Sequence, residues 1–218
     1  MGWKNDPLVG KGAPAIDIRP GGGAPPLLAA SANPYSGGFY PLGRIFTVGD
    51  VATLRETDVL TGVEKRIYSQ HVTKVDLEAD RVEYNNGFSV TDLMGNPIKA
   101  GTLSFDAPLQ FAPAELQIGR KWTAAFVRSD RGKISSAYYD LQIVRREKIT
   151  VPAGEFDTFR IEGQGWNRTH GSHLEVNFWL VPGLNFPVKR EWITRWRSHF
   201  NNTERHELVS LRQQAIGL

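Results

Sequence analysis

Residues 81–93 read RVEYNNGFSVTDL, two short runs of strand-forming residues joined by Asn85-Asn86-Gly87. Asparagine and glycine tolerate positive φ angles at low cost, so an Asn-Gly pair between such runs favours a tight turn. The stretch therefore predicts a β-hairpin with strands over 81–84 and 88–93.

The same alternation, interrupted by turn residues, continues from residue 44 to the end of the chain. Short alternating segments about ten residues apart are typical of antiparallel sandwiches and barrels. The predicted fold class is all-β: an antiparallel curved sheet that forms a half-barrel or barrel over residues 44–218. Whether the sheet closes depends on strand number and shear, so the sequence does not decide between the half-barrel and the barrel. The other predicted strands cover 52–57, 65–76, 103–105, 121–129, 136–146, 156–163, 174–181, 187–200 and 203–211, with Asn201-Asn202 as the last hairpin turn.

Composition excludes several classes of protein. The chain has 218 residues, 40% of them hydrophobic, which is enough for one substantial core. It contains no cysteine, so disulfide scaffolds, thiolate zinc sites and cysteine nucleophiles are excluded. No run of about 18 apolar residues is present, and no transmembrane segment is expected. A net charge of +3 over this length gives no electrostatic footprint for nucleic acid.

Residues 1–43 differ from the rest of the chain. They hold 9 of the 22 glycines and 7 of the 13 prolines, a composition that resists both helices and sheets. We expect an extended arm here, followed by the β-domain at 44–218, and the arm either stays mobile or lies across the domain or a partner. Tyr35, Phe39 and Tyr40 give this arm apolar groups with which to contact a protein partner. If that is its role, removing residues 1–40 should leave folding intact and abolish assembly.

The predicted strand at 187–200 has two unlike faces. The face expected to be buried carries Trp192, Thr194, Trp196, Ser198 and Phe200. The opposite, basic face carries Ile193, Arg195, Arg197 and His199. Two interpretations stay open for the basic face: an ordinary solvated sheet surface, or a surface for an anion or a phospholipid headgroup.

No motif indicates catalysis. His170 and His173 could both reach one metal ion, but a bound site needs three or four ligands, and no spacing places His199 or His206 beside them. The chain has no Gly-x-Ser-x-Gly elbow and no phosphate-binding glycine loop. The spacing of its carboxylates selects no pair for glycoside chemistry. We therefore expect no catalytic residue, no metal and no cofactor.

Two stretches resemble a known group of proteins. Residues 149–161 read ITVPAGEFDTFRI, and residues 178–191 read FWLVPGLNFPVKRE. The pair is similar to the DUF3108-like bacterial cell-envelope proteins of unknown function, in which a V-P-A-G-x-F-D-T hairpin precedes an aromatic strand and a P-G-x-G…V-K-R-E segment. Asn185 departs from the pattern, since the family often has glycine there. The resemblance implies a curved antiparallel sheet, related to lipoprotein carriers, in an envelope protein. It implies no catalysed reaction.

The physical logic of these motifs is structural. Val151-Pro152-Ala153-Gly154 forms a tight turn, and Phe156 and Phe159 pack in the core. Asp157 is expected to cap the turn through backbone amides. Pro182-Gly183 forms a second turn, after which Lys189-Arg190-Glu191 begins the next strand.

The sequence thus predicts a non-enzymatic envelope protein that binds a partner protein or a hydrophobic ligand, either alone or as a subunit of a larger complex. The alternative is an enzyme or binding module acting on glycans or lipids. Activity screening of variants at Glu155, Asp157 and His173 would test it. A periplasmic or other envelope location is expected, with the cytoplasm as the alternative, because no signal peptide is visible. The candidate binding residues are Trp166, Trp179, Trp192, Trp196, Arg195, Arg197, Tyr35, Phe39 and Tyr40.

Overall fold

The structure, a computed structural model, describes residues 15–23, 40–197 and 199–214. Within these ranges it consists of strands and their connections, and no helix there has the length and hydropathy that crossing a membrane requires. The strands are β1 (Ile16–Ile18), β2 (Tyr40–Pro41), β3 (Val51–Asp58), β4 (Glu64–Asp76), β5 (Arg81–Tyr84), β6 (Ser89–Thr91), β7 (Pro97–Ala100), β8 (Leu103–Phe105), β9 (Glu115–Leu116), β10 (Lys121–Asp130), β11 (Lys133–Val151), β12 (Gly154–Asn167), β13 (Ser172–Leu180), β14 (Lys189–Trp196) and β15 (His199–Gln213).

Twelve antiparallel strands form a closed barrel. Strands β3 to β8 and β10 to β15 pair in order, and β15 pairs back onto β3. The closing ladder runs from Asp58 opposite Glu204 to Val51 opposite Arg212. The all-β prediction is confirmed, and of the two forms that the sequence left open, the sheet adopts the full barrel. Strand β1 adds to the sheet beside β15, while β2 and β9 form a separate two-stranded ribbon.

The hairpin at residues 81–93 forms as the sequence predicts. Asn85, Asn86 and Gly87 have φ angles of 49°, 57° and 78°, all in the left-handed region. The Asn85 side chain also bonds to β4, accepting from the His71 amide and donating to the Ser69 carbonyl. The turn therefore both reverses the chain and fastens β5 to its neighbour.

The last hairpin differs from the prediction. Strand β14 ends at Trp196, and Arg197 has a φ of 54°, so the chain reverses there and not at Asn201-Asn202. The expected single strand over 187–200 is therefore wrong. Its aromatic face is also less buried than predicted, since Trp196 is 40% and Phe200 49% exposed. Arginine has no special preference for positive φ, which is why no local sequence signal marks this turn.

The two ends of the barrel are unlike. At one end, here called the open end, lie the connections β3–β4, β5–β6, β7–β8, β10–β11, β12–β13 and β14–β15. The opposite, filled end is occupied by segments 42–46, 106–116 and 181–188. These segments bond to one another: the Leu42 amide donates to the Ala114 carbonyl, and the Gly183 amide donates to the Leu42 carbonyl, both at 2.8 Å. Their buried side chains include Leu42, Phe46, Leu109, Phe111, Leu116, Leu184 and Phe186.

A buried carboxylate fastens the filled end to the closing strands. Asp50, which is fully buried, accepts hydrogen bonds from the Asn185 side chain and from the Gln214 amide, each at 2.7 Å. Asn185 also donates to the Ile45 carbonyl at 2.8 Å and accepts from the Ile45 amide. Glycine has no side chain for these bonds, so the asparagine at this position has a structural role of its own.

The predicted turns of the two motifs are present. Strand β11 ends at Val151 and β12 begins at Gly154, and Phe156 and Phe159 are both buried. Asp157 does not cap the turn as expected. It instead accepts two hydrogen bonds from Arg146 on the neighbouring strand, at 2.8 and 2.6 Å.

Glycines on β12 permit close approach of the neighbouring strands. A Cβ added to Gly165 would overlap the Tyr138 carbonyl on β11. A Cβ at Gly163 would lie 2.8 Å from the Val176 side chain and 2.9 Å from Leu141. Because backbone atoms cannot move aside, Gly165 is the stricter of the two requirements.

We expect Gly165→Ala to lower the free energy of unfolding by about 1–3 kcal/mol through overpacking. Urea denaturation would measure it. Gln164→Ala, at an exposed position on the same strand, is the matched control and should stay within about 0.5 kcal/mol of the parent protein. Equal stability of the two variants would contradict the steric requirement.

Part of the predicted arm belongs to the barrel. Ile16, Asp17 and Ile18 pair with Gln213, Arg212 and Leu211 of β15. Ile18 is 1% exposed and lies in the core with Leu211. The boundary at residue 43 remains a prediction, but removal of residues 1–40 is now expected to cost stability.

Truncating Ile18 should therefore destabilise the fold. We expect Ile18→Ala to reduce the free energy of unfolding by about 2–5 kcal/mol, the range for large-to-small core substitutions. Asp17→Ala, at the exposed position of the same strand, should change it by less than about 0.5 kcal/mol. Similar values for the two variants would mean that β1 does not contribute to the core.

Candidate functional site

A cavity of about 430 Å³ lies inside the barrel. Its lining extends from Arg66, Phe88 and Arg128 near the open end to Asn185 and Phe186 at the filled end. The Arg66 side chain is 63% and Phe88 is 64% exposed, so the cavity reaches solvent at the open end.

One wall of the cavity is aromatic. Phe111, from the segment that fills the barrel, has its ring centroid 4.8 Å from Phe178, 5.4 Å from Tyr139 and 6.4 Å from Trp192. Phe126 stacks on Tyr139 at 5.9 Å. Burial raises the pKa of Tyr139 to about 12, so its hydroxyl stays neutral. This wall presents a rigid apolar surface to the cavity.

Next to Trp192 the cavity lining carries a hydrogen-bonded group, here called the polar patch, made by Arg190, Tyr68, His206 and Glu204. Arg190 Nη2 donates to the Tyr68 hydroxyl at 2.9 Å, and that hydroxyl lies 2.8 Å from His206 Nδ1. A guanidinium can only donate, so the Tyr68 hydroxyl accepts from Arg190, and its own proton is available to an unprotonated Nδ1 of His206. The neutral imidazole then carries its proton on Nε2, which faces Glu204 Oε2 at 3.6 Å.

The cavity lining has an excess of positive charge. Arg66 pairs with Glu56 at 2.7 Å, which cancels both charges. Within the described residues, neither Arg128 nor Arg190 lies within ion-pairing distance of a carboxylate. Arg128 donates instead to the Ser135 hydroxyl at 3.0 Å, and Arg190 lies over the Trp192 ring at 4.8 Å.

The sequence-predicted residues divide between the inside and the outside of the barrel. Trp192 lines the cavity, and Trp196 lines a shallower hollow beside it at the open end. Trp166 is 48% exposed and contacts His173, while Arg195 and Arg197 are exposed beside Trp196. The structure thus brings Trp166, Trp196, Arg195 and Arg197 to the same end, and it separates Trp192 from them.

Trp179 lies on the outer face under charged side chains. Lys189 and Arg160 lie over its ring at 4.4 and 5.0 Å, and its indole N–H donates to Glu147 at 2.8 Å. It is only 4% exposed. A buried ring of this kind offers no stacking face to a sugar.

Of the three arm residues, Tyr40 is described and Tyr35 and Phe39 lie outside the described residues. Tyr40 packs its ring 5.2 Å from Phe159, and Arg146 lies 6.0 Å above it. Tyr40 therefore contributes to the barrel core. Contact between the arm and a partner stays a prediction.

Tyr68, His206 and Phe111 line the cavity although the sequence did not predict them as site residues. Tyr68 and His206 occur in strands whose alternation predicts a face but not which distant strand it meets. Phe111 lies in a segment between Pro108 and Pro113 that resembles an ordinary loop. The one local signal was the period-2 spacing that places Arg66, Tyr68 and Gln70 on the same face of β4.

The residues of the enzyme alternative do not converge. Glu155 pairs with Lys148 at 3.2 Å on the exposed surface, and Asp157 is held by Arg146. His173 pairs with Trp166 near the opposite end of β12, nine positions from Asp157, or roughly 30 Å along the strand. Among the described residues, no group of three or more metal-ligating side chains is assembled.

His206 makes stability depend on pH. Burial, and then the positive charge of Arg190, lower the pKa of His206 below its ordinary value of 6.5. The unfolded chain therefore binds this proton more readily than the folded protein. The contribution of the neutral imidazole to the free energy of unfolding is fully present above about pH 6.5. It is lost as the pH falls through the pKa that His206 has in the folded protein.

We expect the free energy of unfolding to decrease from about pH 7.5 to about pH 5, the range in which histidine titrates. We expect the variant His206→Gln to show a smaller decrease over the same range. Urea unfolding at a series of pH values measures it. His173→Gln, which changes a histidine on the outer face, is the control and should keep the parent profile. An unchanged slope in His206→Gln would contradict the assignment.

Comparison with known proteins gives a likeness of fold only. No protein-family model matches the chain, and no curated protein matches it. A candidate lipoprotein from Parabacteroides distasonis has 14% identity over 79% of this chain and 98% of its own, with a TM-score of 0.49. An exported protein of Bacteroides fragilis, described with a YmcC-like fold, has 13% identity over 79% and 98%, with a TM-score of 0.48.

The third structure is the hypothetical lipoprotein YmcC from Escherichia coli. It has 9% identity over 78% of this chain and 89% of its own, with a TM-score of 0.46. Scores and identities this low carry no inference about function. The DUF3108-like resemblance therefore stays a prediction from the sequence.

Proposed function

We propose that the protein is a non-enzymatic binding protein that holds a hydrophobic ligand inside its barrel. The observation that carries this proposal is the cavity of about 430 Å³ with an aromatic wall. Ligand sites typically have volumes of about 300–1,000 Å³, mostly apolar linings and a few polar groups that fix orientation. The cavity meets each of these conditions, with the polar patch as its orienting group.

The charge of the lining favours a ligand with a polar, electron-rich end. Arg190 keeps a buried Nε without a hydrogen-bond partner among the described residues, and its Nη2 already orients Tyr68. An unpaired buried donor is costly unless something accepts from it. A ligand whose apolar tail contacts Phe111 and Phe178 could direct its hydrogen-bond acceptor towards Arg190.

The envelope location and the DUF3108-like membership belong to the same proposal and rest on the sequence motifs alone. The alternative, a glycan or lipid enzyme, gains no support from Glu155, Asp157 and His173, which do not converge. The contact of His206 with Glu204 belongs to the polar patch, where His206 is also hydrogen-bonded to Tyr68. A protein partner contacted through Tyr35 and Phe39 would involve residues outside that part.

Binding of an apolar probe tests the proposal. We expect 1-anilinonaphthalene-8-sulfonate to bind saturably to the folded protein, with a rise in fluorescence as it leaves water. Thr194→Trp, which projects a large ring into the cavity, should weaken that binding by about tenfold or more, equivalent to about 1.4 kcal/mol.

The matched control is Ile193→Trp, which adds a ring of the same kind at the next position of β14, on the outer face. It should bind the probe as the parent protein does. Equal binding by both variants would place the probe outside the cavity and overturn the proposal. Native mass spectrometry of protein purified from its own source would then report any retained apolar mass.

A further inference from the structure

Exposed apolar side chains concentrate at the open end of the barrel. The described residues include 13 large hydrophobic side chains with high exposure, and 9 of them lie within a few residues of the connections at this end. Monomeric proteins expose such residues singly and rarely group them. These nine are Leu60, Val63, Ile67, Phe88, Val127, Ile134, Trp166, Trp196 and Phe200.

Positive charge concentrates on one part of the same end, at the tips of three consecutive hairpins. We call this surface the tip arc and define it as residues 130–134, 166–171, 195–197 and 199–200. It carries five cationic side chains and one carboxylate, that of Asp130. The carboxylate already accepts a hydrogen bond from the Thr102 hydroxyl at 2.7 Å. The five cations are Arg131, Lys133, Arg168, Arg195 and Arg197.

The cations of the tip arc are free to contact something else. Among the described residues, none of the five lies within 4.0 Å of a carboxylate. All five are exposed. Arg197 lies over the exposed Trp196 ring at 4.5 Å, an arrangement that holds the charge beside an apolar surface.

The tip arc adjoins the entrance to the cavity. The hollow beside Trp196 is lined by Asn167, His170 and Ser172, and it shares Arg128, Thr194 and Asn202 with the cavity lining. A continuous path of lining residues therefore leads from the tip arc into the barrel. The filled end has no comparable path among the described residues, because its connecting segments occupy the interior.

We propose that the tip arc docks on an anionic lipid surface. Exposed tryptophan and phenylalanine rings suit the membrane–water interface, where one side of the ring is apolar and the other is wet. Unpaired arginine and lysine beside them suit anionic headgroups, at about 1 kcal/mol for each charge near the surface. The charge excess and the adjoining cavity entrance select this occupant over a neutral apolar surface.

Docking in this orientation would place the cavity entrance against the lipid. A hydrophobic ligand could then pass between the membrane and the barrel without crossing water. Docking itself does not depend on the proposed ligand, so binding to vesicles and binding of the fluorescent probe can fail separately.

Vesicle flotation with the full chain tests the proposal. We expect binding to phosphatidylcholine vesicles that contain about one third phosphatidylglycerol, weak binding to pure phosphatidylcholine, and release as ionic strength rises to about 0.5 M. The double variant Arg131→Asn/Arg197→Asn should bind roughly 30-fold more weakly, since it removes two charges. Both arginines have positive φ, which asparagine adopts more readily, so these changes should not unfold the protein.

A control with the same charge change is available at the filled end. Arg81→Gln/Lys121→Gln removes two exposed cations there and should bind as the parent protein does. For the apolar part, Ile134→Ser should weaken binding severalfold, whereas Leu77→Ser, at a similarly exposed position of the filled end, should not.

Two results would overturn the proposal. The first is absence of binding to the anionic vesicles, which would leave a protein or a second copy of this chain as the occupant; light scattering over a range of concentrations would identify self-association. The second is equal loss of binding in the tip-arc and filled-end variants, which would mean that net charge alone attracts the protein to lipid.

Discussion

The pairing of β15 with β3 is the constraint on which the rest of the structure depends. It joins the last strand of the barrel to the first and removes both free edges of the sheet, which would otherwise be open to strand addition. It also fixes the circumference at twelve strands. Asp50 reinforces the junction, because its carboxylate binds the Gln214 amide beyond β15 and Asn185 at the filled end.

A circumference of twelve strands makes an interior too wide for the side chains of the wall to fill. Barrels of about eight strands are just closed by their own side chains, and wider ones enclose space. Here the connecting segments fill part of that space, and Phe111, from one of them, packs against Tyr139 and Phe178. The remaining volume is the cavity. The polar patch is a consequence of closure, since Tyr68 on β4 meets Arg190 on β14 and His206 on β15 only after β15 has paired with β3. The aromatic wall, in contrast, lies on strands that are already close together in chain order.

The local parts of this fold could be predicted from the sequence. Asn85-Asn86-Gly87 and Val151-Pro152-Ala153-Gly154 carry their turn geometry in their own backbone preferences, so both hairpins were found. The turn at Arg197 was not, because arginine has no such preference and the packing of β14 on β15 decides it. Closure could not be predicted because no local pattern encodes shear. The same limit applies to the candidate site. Trp192 could be identified as an aromatic strand residue, whereas the contact between Tyr68 and His206 forms only when closure brings β4 and β15 together.

The junction at Asp50 also determines when the fold can be completed. Its partner Gln214 lies 164 residues further along the chain and near the end of the described sequence. Contacts of such separation form late, because the entropy of the intervening loop must be overcome first. While the chain forms, β3 must therefore keep an unpaired edge until the residues of β15, on the far side of this separation, are present. A protein built in this way is exposed to misassembly for most of its formation, and the burial of Asp50 marks the end of that period.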